Sequence, residues 1–219
     1  MKPALLAFSP FHAIIIMNYF LTVLIGYLIG TSNMAVYLAA LKRVDLRAGG
    51  SGNPGASNAM ILMGWRAGIL VALHDIGKAV AAVLLARYLF PETALIGVVA
   101  GVSCVFGHMF PFYLKFRGGK GFASYIGMAL ALHWRFALVL MLAVLIITLV
   151  TDYIVLGTMT AIVSFPLYCA LTQSILAAMI LCIASVVILY KHRENLVRIC
   201  NGTEIGLRSA HRGDHRAHK

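Results

Sequence analysis

Acidic side chains are scarce in this sequence: its 219 residues carry 7 Asp and Glu against 18 Lys and Arg, and only 11% of the chain is charged. So few carboxylates provide no acidic cluster able to hold Mg²⁺. The four cysteines, Cys104, Cys169, Cys182 and Cys200, show no Cys-x-x-Cys spacing, and three lie in apolar stretches where a thiol behaves as a small hydrophobe. His-Glu-x-x-His and Gly-x-Ser-x-Gly are both missing, which excludes the zinc-helix hydrolases and the serine elbow. No repeat period of 20–50 residues is evident, so a solenoid is excluded too. From these absences no metal and no other cofactor is expected.

Apolar surface, by contrast, is abundant. The chain is 61% hydrophobic with a mean hydropathy of +0.91, outside the range of soluble folds. A bilayer core about 30 Å thick takes roughly 20 apolar residues per helical crossing, so this length allows at most about seven or eight crossings. The expected architecture is an all-α polytopic membrane protein. Apolar stretches run from Ile14 to Leu41, Ala67 to Phe90, Thr93 to Tyr113, Phe136 to Val150, Tyr153 to Leu171 and Ser174 to Tyr190. Phe122 to Leu132 is too short to span comfortably, and the interface-like His133-Trp134-Arg135 follows it, so a short crossing and a re-entrant helix both remain open.

Counting 122–132 as a crossing gives about seven, with the N-terminus outside and the C-terminus cytoplasmic. The basic residues follow the first apolar run as Lys42, Arg43 and Arg47 instead of preceding it, which is not the pattern of a cleavable signal peptide. Basic clusters at 42–66, 115–120 and 191–219 then share one side, as the positive-inside bias requires, and the net charge of +11 reads as topology, not nucleic-acid binding. Residues 1–207 are expected to form one membrane-embedded domain, and 208–219 a mobile basic tail rich in His and Arg.

Four constellations carry possible chemistry. Gly49-Gly50-Ser51-Gly52-Asn53-Pro54-Gly55-Ala56-Ser57-Asn58 precedes a helix start, an arrangement that turns backbone N–H groups toward an anion and also one that simply makes a tight loop. Gly107-His108-Met109-Phe110-Pro111 leads to Lys115-Phe116-Arg117-Gly118-Gly119-Lys120-Gly121, where Lys120 stands among glycines; Gly121 occupies the place of the Ser or Thr of a Walker loop. Asp75 and Lys78 share a helical face about 12 Å into their span, either as a self-satisfying pair or at a polar cavity. His192-Arg193-Glu194-Asn195, Arg198 and Gly202-Thr203-Glu204 lie at the exit of the last span, readable as a basic helix on anionic lipid or as part of a site. Together they outline a basic, glycine-lined surface suited to a small phosphorylated molecule meeting a lipid.

Taken in order, these motifs resemble the bacterial membrane acyltransferases that transfer an acyl group from acyl phosphate to glycerol 3-phosphate, the PlsY family. The likeness covers about 50 to 204. It implies a seven-helix fold in the bacterial cytoplasmic membrane and a cytoplasm-facing site. It also implies lysophosphatidic acid as product, with acyl phosphate, glycerol 3-phosphate and membrane lipid as partners and no obligate protein partner. It further implies catalytic roles for Ser51 and Lys120, with His108 in a second tier. Substrate contacts fall at Gly52, Asn53, Gly55, Asn58, Gly118, Gly119, Gly121, Arg193, Asn195 and Glu204, and Asp75 with Lys78 forms a structural intramembrane pair. The proton of the attacking hydroxyl passes, on the family proposal, to the acceptor's own phosphate. One position departs: the family has an arginine three residues after Asn58 that binds the acceptor phosphate, and here it is Ile61. Arg43 and Arg47 are the expected substitutes, and the departure leaves open a non-catalytic or acceptor-altered relative that binds phosphorylated lipid.

Overall fold

Residues 10–206 and Arg208 are described in a computed structural model of the chain. The rest of the 208–219 tail lies outside the described residues. Regular structure is helical throughout the described residues: α1 (Pro10–Thr31), α2 (Met34–Lys42), α3 (Ala56–Met63), α4 (Trp65–Leu89), α5 (Ile96–Met109), α6 (Phe122–Thr151), α7 (Ile154–Thr172) and α8 (Ile175–Cys200), with a 3₁₀ turn at Phe112–Leu114. Six helical stretches are long and apolar enough to cross a membrane.

The first apolar run is not one helix. It breaks at Ser32-Asn33, where Asn33 caps α2 by accepting from Val36 N–H (3.1 Å) while its Nδ2 donates to the Pro54 carbonyl (3.2 Å). An N-cap that also grips the glycine loop explains why the chain interrupts a favourable apolar helix here. α1 lies parallel to α5: Asn18 bonds Thr93 (2.9 Å) at one end, and Tyr27 bonds the Phe110 carbonyl (2.8 Å) toward the other. Their backbones approach so closely that a Cβ on Gly30 would overlap the Cys104 carbonyl, the close packing that small residues permit between membrane helices. α4 runs antiparallel to α5, with Lys78 beside His108 and Arg87 beside Gly97.

The short stretch 122–132 proves to be a limb of α6. The helix is interrupted at His133 (φ −148°, ψ 70°), and its two limbs run in opposite directions. In the first limb Gly127 packs on Ile76 and Ala131 accepts from Arg87, so it climbs alongside α4 away from the loop at 115–121. In the second, Phe136 stacks on Tyr168 and Val144 meets Gly157, so the chain descends antiparallel to α7. His133 Nδ1 lies 2.8 Å from Gln173 Nε2 at the α7–α8 turn, which ties the reversal to the same end of the bundle. α8 then continues well past Tyr190, the expected end of the last span, to Cys200.

Small side chains recur through the interior, among them Ala35, Ala59, Ala79, Ala82, Ala129 and Ala184, all fully buried beside larger ones such as Tyr125, Phe165 and Met128. Large apolar residues such as Phe20, Leu73, Val139 and Leu171 stand exposed on the outside. That distribution fits a hydrocarbon surround, where association rests on close packing and not on hiding apolar surface from water. Trp65 and Trp134, both exposed, sit at opposite ends of the bundle like interfacial anchors.

Candidate functional site

The glycine loop, the loop at 115–121 and the end of α8 meet at one end of the bundle. Between them and the limbs of α6 lies a cavity of about 560 Å³.

Its first wall is the glycine loop. Gly50 is left-handed (φ +57°) and packs so tightly on the Asn58 amide that a side chain would not fit. Asn58 Oδ1 accepts from Ser51 N–H (2.8 Å), and its Nδ2 donates to the Leu46 carbonyl (2.8 Å). The asparagine thus points into the protein and shapes the loop, while Ser51, Asn53, Gly55 and Ser57 face the cavity.

The second wall is the Gly-Gly-Lys-Gly loop. Gly118 N–H donates to the Met109 carbonyl (3.0 Å) and Gly119 N–H to the His108 carbonyl (3.2 Å), satisfying the carbonyls left open at the end of α5. Any Cβ on Gly119 would overlap the His108 ring. This docking presents Lys120 to the cavity, and Gly121 (φ +90°) turns the chain into α6.

The third wall is α8 and the segment returning from it. Lys120 Nζ donates to Asn195 Oδ1, Asn195 Nδ2 donates to Glu204 Oε1, and Arg198 Nε donates to Glu204 Oε2 (2.7 Å). His192, Asn195 and Arg198 recur every third residue and so face one way. His192 Nδ1 is 2.8 Å from the Ile188 carbonyl, which places its proton there and leaves Nε2 as an acceptor at the cavity wall. Among the described residues the Arg198 Nη groups have no hydrogen-bond partner. Burial pushes the Lys120 ammonium down to about 8 and the Arg198 charge adds to that, with Glu204 and Glu194 opposing.

Beneath these walls Lys78 Nζ lies 2.9 Å from Asp75 Oδ1, 2.9 Å from His108 Nδ1 and 2.6 Å from the Ser32 carbonyl. An ammonium only donates, so His108 Nδ1 accepts and its proton sits on Nε2. The expected pair is therefore a larger buried network that reaches the cavity through Asp75 and His108. Away from the polar end the cavity is apolar, lined by Ile76, Phe122, Ile126, Met141, Val144 and Leu145. Among the described residues no three His, Cys, Asp or Glu side chains converge as metal ligands would.

The expected residues are unevenly placed about the cavity. Gly52, Asn58, Gly118 and Gly119 do not line the cavity; the amides of the last two are committed to α5. Arg193 points outward, 4.0 Å from the Tyr190 ring, because it sits one position off the 192–195–198 face. Ile61 does line the cavity, and neither substitute cation does: Arg47 donates to the Arg117 carbonyl (2.8 Å) and Arg43 is exposed at the cap of α2. The cations that line the wall are Lys120 and Arg198.

The profile of the glycerol-3-phosphate acyltransferase family matches residues 20–202. The chain belongs to that family. The glycerol-3-phosphate acyltransferase of Thermoanaerobacter pseudethanolicus is 38% identical over 189 residues, covering 84% of this chain and 93% of the relative. Glycerol-3-phosphate acyltransferase 1 of Oceanobacillus iheyensis is 34% identical over 200 residues, covering 88% and 97%. The crystal structure of PlsY, an integral membrane glycerol 3-phosphate acyltransferase, in its glycerol 3-phosphate form superposes with a TM-score of 0.82 at 32% identity, over 87% of this chain and 96% of that one. Its lysophosphatidic acid form gives a TM-score of 0.78, over 86% and 94%. As a glycerol-3-phosphate acyltransferase family member, the chain is an all-helical integral membrane protein whose motifs gather at one end of the bundle.

Proposed function

We propose that this protein transfers an acyl group from acyl phosphate to glycerol 3-phosphate, giving lysophosphatidic acid. The observation that carries the reading is the division of one cavity into a cationic glycine-lined end and an apolar arm. Each carboxylate at the cavity is already matched, Asp75 by Lys78, Glu204 by Arg198 and Asp152 by Arg208, so the charge of Lys120 leaves the polar end positive. That end suits phosphate; the arm suits an acyl chain.

In the transfer the glycerol hydroxyl oxygen bonds to the acyl carbon and the carbon–oxygen bond to phosphate breaks. Inorganic phosphate leaves, and the hydroxyl proton passes to the acceptor's own phosphate. Acyl phosphate is a mixed anhydride with a good leaving group, so positioning and charge stabilisation supply most of the catalysis. Lys120 stabilises the charge developing on the phosphate, Ser51 donates at the opposite wall, and His192 Nε2 accepts from the glycerol hydroxyl that does not react. Asn53, Gly55 and Gly121 shape the phosphate end, while Asn195 and Glu204 hold Lys120 in place. Asn58, Gly118 and Gly119 act through the loops they hold.

We place the protein in the bacterial cytoplasmic membrane with the motif end facing the cytoplasm. The six apolar helices, one of them doubled back at His133, then make seven crossings, and residues 1–207 count as one domain. Support comes from the gathering of Lys42, Arg66, Lys115, Arg117 and Lys191 near the motif end.

Supplying purified protein with acyl phosphate and glycerol 3-phosphate tests this reading: lysophosphatidic acid is expected, and its absence with acyl-CoA and acyl-carrier donors also inert favours the phospholipid-binding alternative. The pH profile is diagnostic. Because the charged form of Lys120 works, kcat/KM holds below about 8 and falls as pH rises through that value. Arg198→Gln removes a repelling charge and moves this limb upward; a limb that stays put would exonerate Lys120. Ile61→Arg adds a charge-assisted hydrogen bond at the phosphate end, worth about 1.5–3 kcal/mol. It is therefore expected to lower KM for glycerol 3-phosphate by roughly tenfold or more, as steady-state kinetics would report.

A further inference from the structure

Asp152, alone among the cavity carboxylates, takes its partner from beyond the last crossing. It caps α6 in a left-handed conformation (φ 70°) and faces the cavity beside Tyr153. Its Oδ1 accepts from the backbone N–H of Arg208 (2.9 Å), Arg208 Nε lies 3.6 Å from the same oxygen, and Arg208 Nη2 donates to the Leu149 carbonyl. Gly206 packs flat on the other carboxylate oxygen, leaving no room for a Cβ. The chain from Thr203 thus returns from α8 along the cavity, lining it with Glu204, Ile205 and Gly206. Hydrogen bonds from Thr203 and Glu204 N–H to the Arg198 carbonyl fix the start of this return, and Asp152 fixes its far end.

We propose that Asp152 and Arg208 determine which nucleophile reaches the acyl carbon, favouring the glycerol hydroxyl over water, by fastening residues 203–206 across the cavity. The inference rests on the acyl-transfer reading above. An acyl phosphate held beside Lys120 is activated toward any hydroxyl. If water attacks, its oxygen bonds to the acyl carbon, the carbon–oxygen bond to phosphate breaks, and fatty acid, phosphate and a proton to solvent result. Excluding water is therefore a requirement of the site itself. The fastening is a half-exposed ion pair with a glycine seat, weak enough to release for each substrate and product. Both Gly206 and Arg208 lie past the stretch matched by the family profile, residues 20–202.

The test supplies the full-length protein in lipid with acyl phosphate and glycerol 3-phosphate, and measures free fatty acid against lysophosphatidic acid after subtracting spontaneous hydrolysis. Asp152→Ala, Arg208→Gln and Gly206→Leu are each expected to raise the fatty-acid share severalfold, whereas Arg208→Lys, which keeps the charge, stays close to wild type. Adding Lys120→Met to Asp152→Ala abolishes the excess, since that hydrolysis occurs at the same site. Hydrogen exchange of 203–206 should quicken in the three opening variants, which shows that they fold and that the segment has been released. A wild-type partition in all three overturns the inference and leaves transfer standing. A wild-type protein that makes no lysophosphatidic acid overturns the transfer reading and the inference with it.

Discussion

Lys120→Met is expected to lower kcat for acyl transfer by about a hundred- to a thousandfold, the range seen when one preorganised donor is removed from a developing charge. The methionine keeps the length and apolar stem of lysine, and Gly118 and Gly119 still dock the loop on α5, so the loss is one of charge. Asn195 and Glu204 point the ammonium into the cavity, and burial makes it a stronger partner for phosphate than an exposed lysine. Lys120→Arg keeps the charge but replaces a compact ammonium with a planar fork that cannot share the Asn195 carbonyl in the same geometry, so partial recovery is expected. Initial rates with glycerol 3-phosphate varied would show the drop in kcat; a change confined to KM would assign Lys120 to acceptor binding alone.

The second large effect falls on stability. Lys78→Met strands the Asp75 carboxylate, 2% exposed, without its nearest cation, and removes the donor that holds His108 and the Ser32 carbonyl. Breaking a buried pair from one side costs about 3–5 kcal/mol, and thermal unfolding in detergent should register it as a marked fall in Tm. The double variant Asp75→Leu/Lys78→Met is expected to be more stable than Lys78→Met alone, since nothing charged is then left buried. Equal Tm values for the single and double variants would show that the carboxylate is satisfied elsewhere. Because His108 seats Gly119, the single variant also loosens the loop that carries Lys120.

Much of this was readable in the sequence, for reasons that differ by level. Membrane helices declare themselves because lipid rewards apolar length locally, residue by residue. The reversal at His133 was legible too: His133-Trp134-Arg135 has the polarity of an interface, and a chain that reaches an interface after 11 residues has little choice but to turn. What escaped was direction. A loop rich in glycine looks like an anion cradle whether its amides face a ligand or, as with Gly118 and Gly119, a helix end; only the position of α5 decides. Asn58 carried the same ambiguity, and its amide turned inward to Leu46. The end of α8 read equally well as a basic surface helix or as part of a site, and the burial of His192 and Asn195 against the cavity favours the second. The signal was present in the three-residue spacing of His192, Asn195 and Arg198, which also turns Arg193 away. Ile61 stood out as a departure, but that it faces the cavity with neither Arg43 nor Arg47 beside it required the fold.

The walls of the cavity come from three stretches far apart in the chain, around Ser51, around Lys120 and from His192 to Gly206. A chain emerging from the ribosome inserts the first two long before the third exists. Until the final crossing is in place Lys120 has no Asn195 to orient it, and until Arg208 follows the cavity has no far wall. A chain that has not yet inserted its last crossing is thus expected to be catalytically silent, and the step that switches the site on is the arrival of Asn195 beside Lys120.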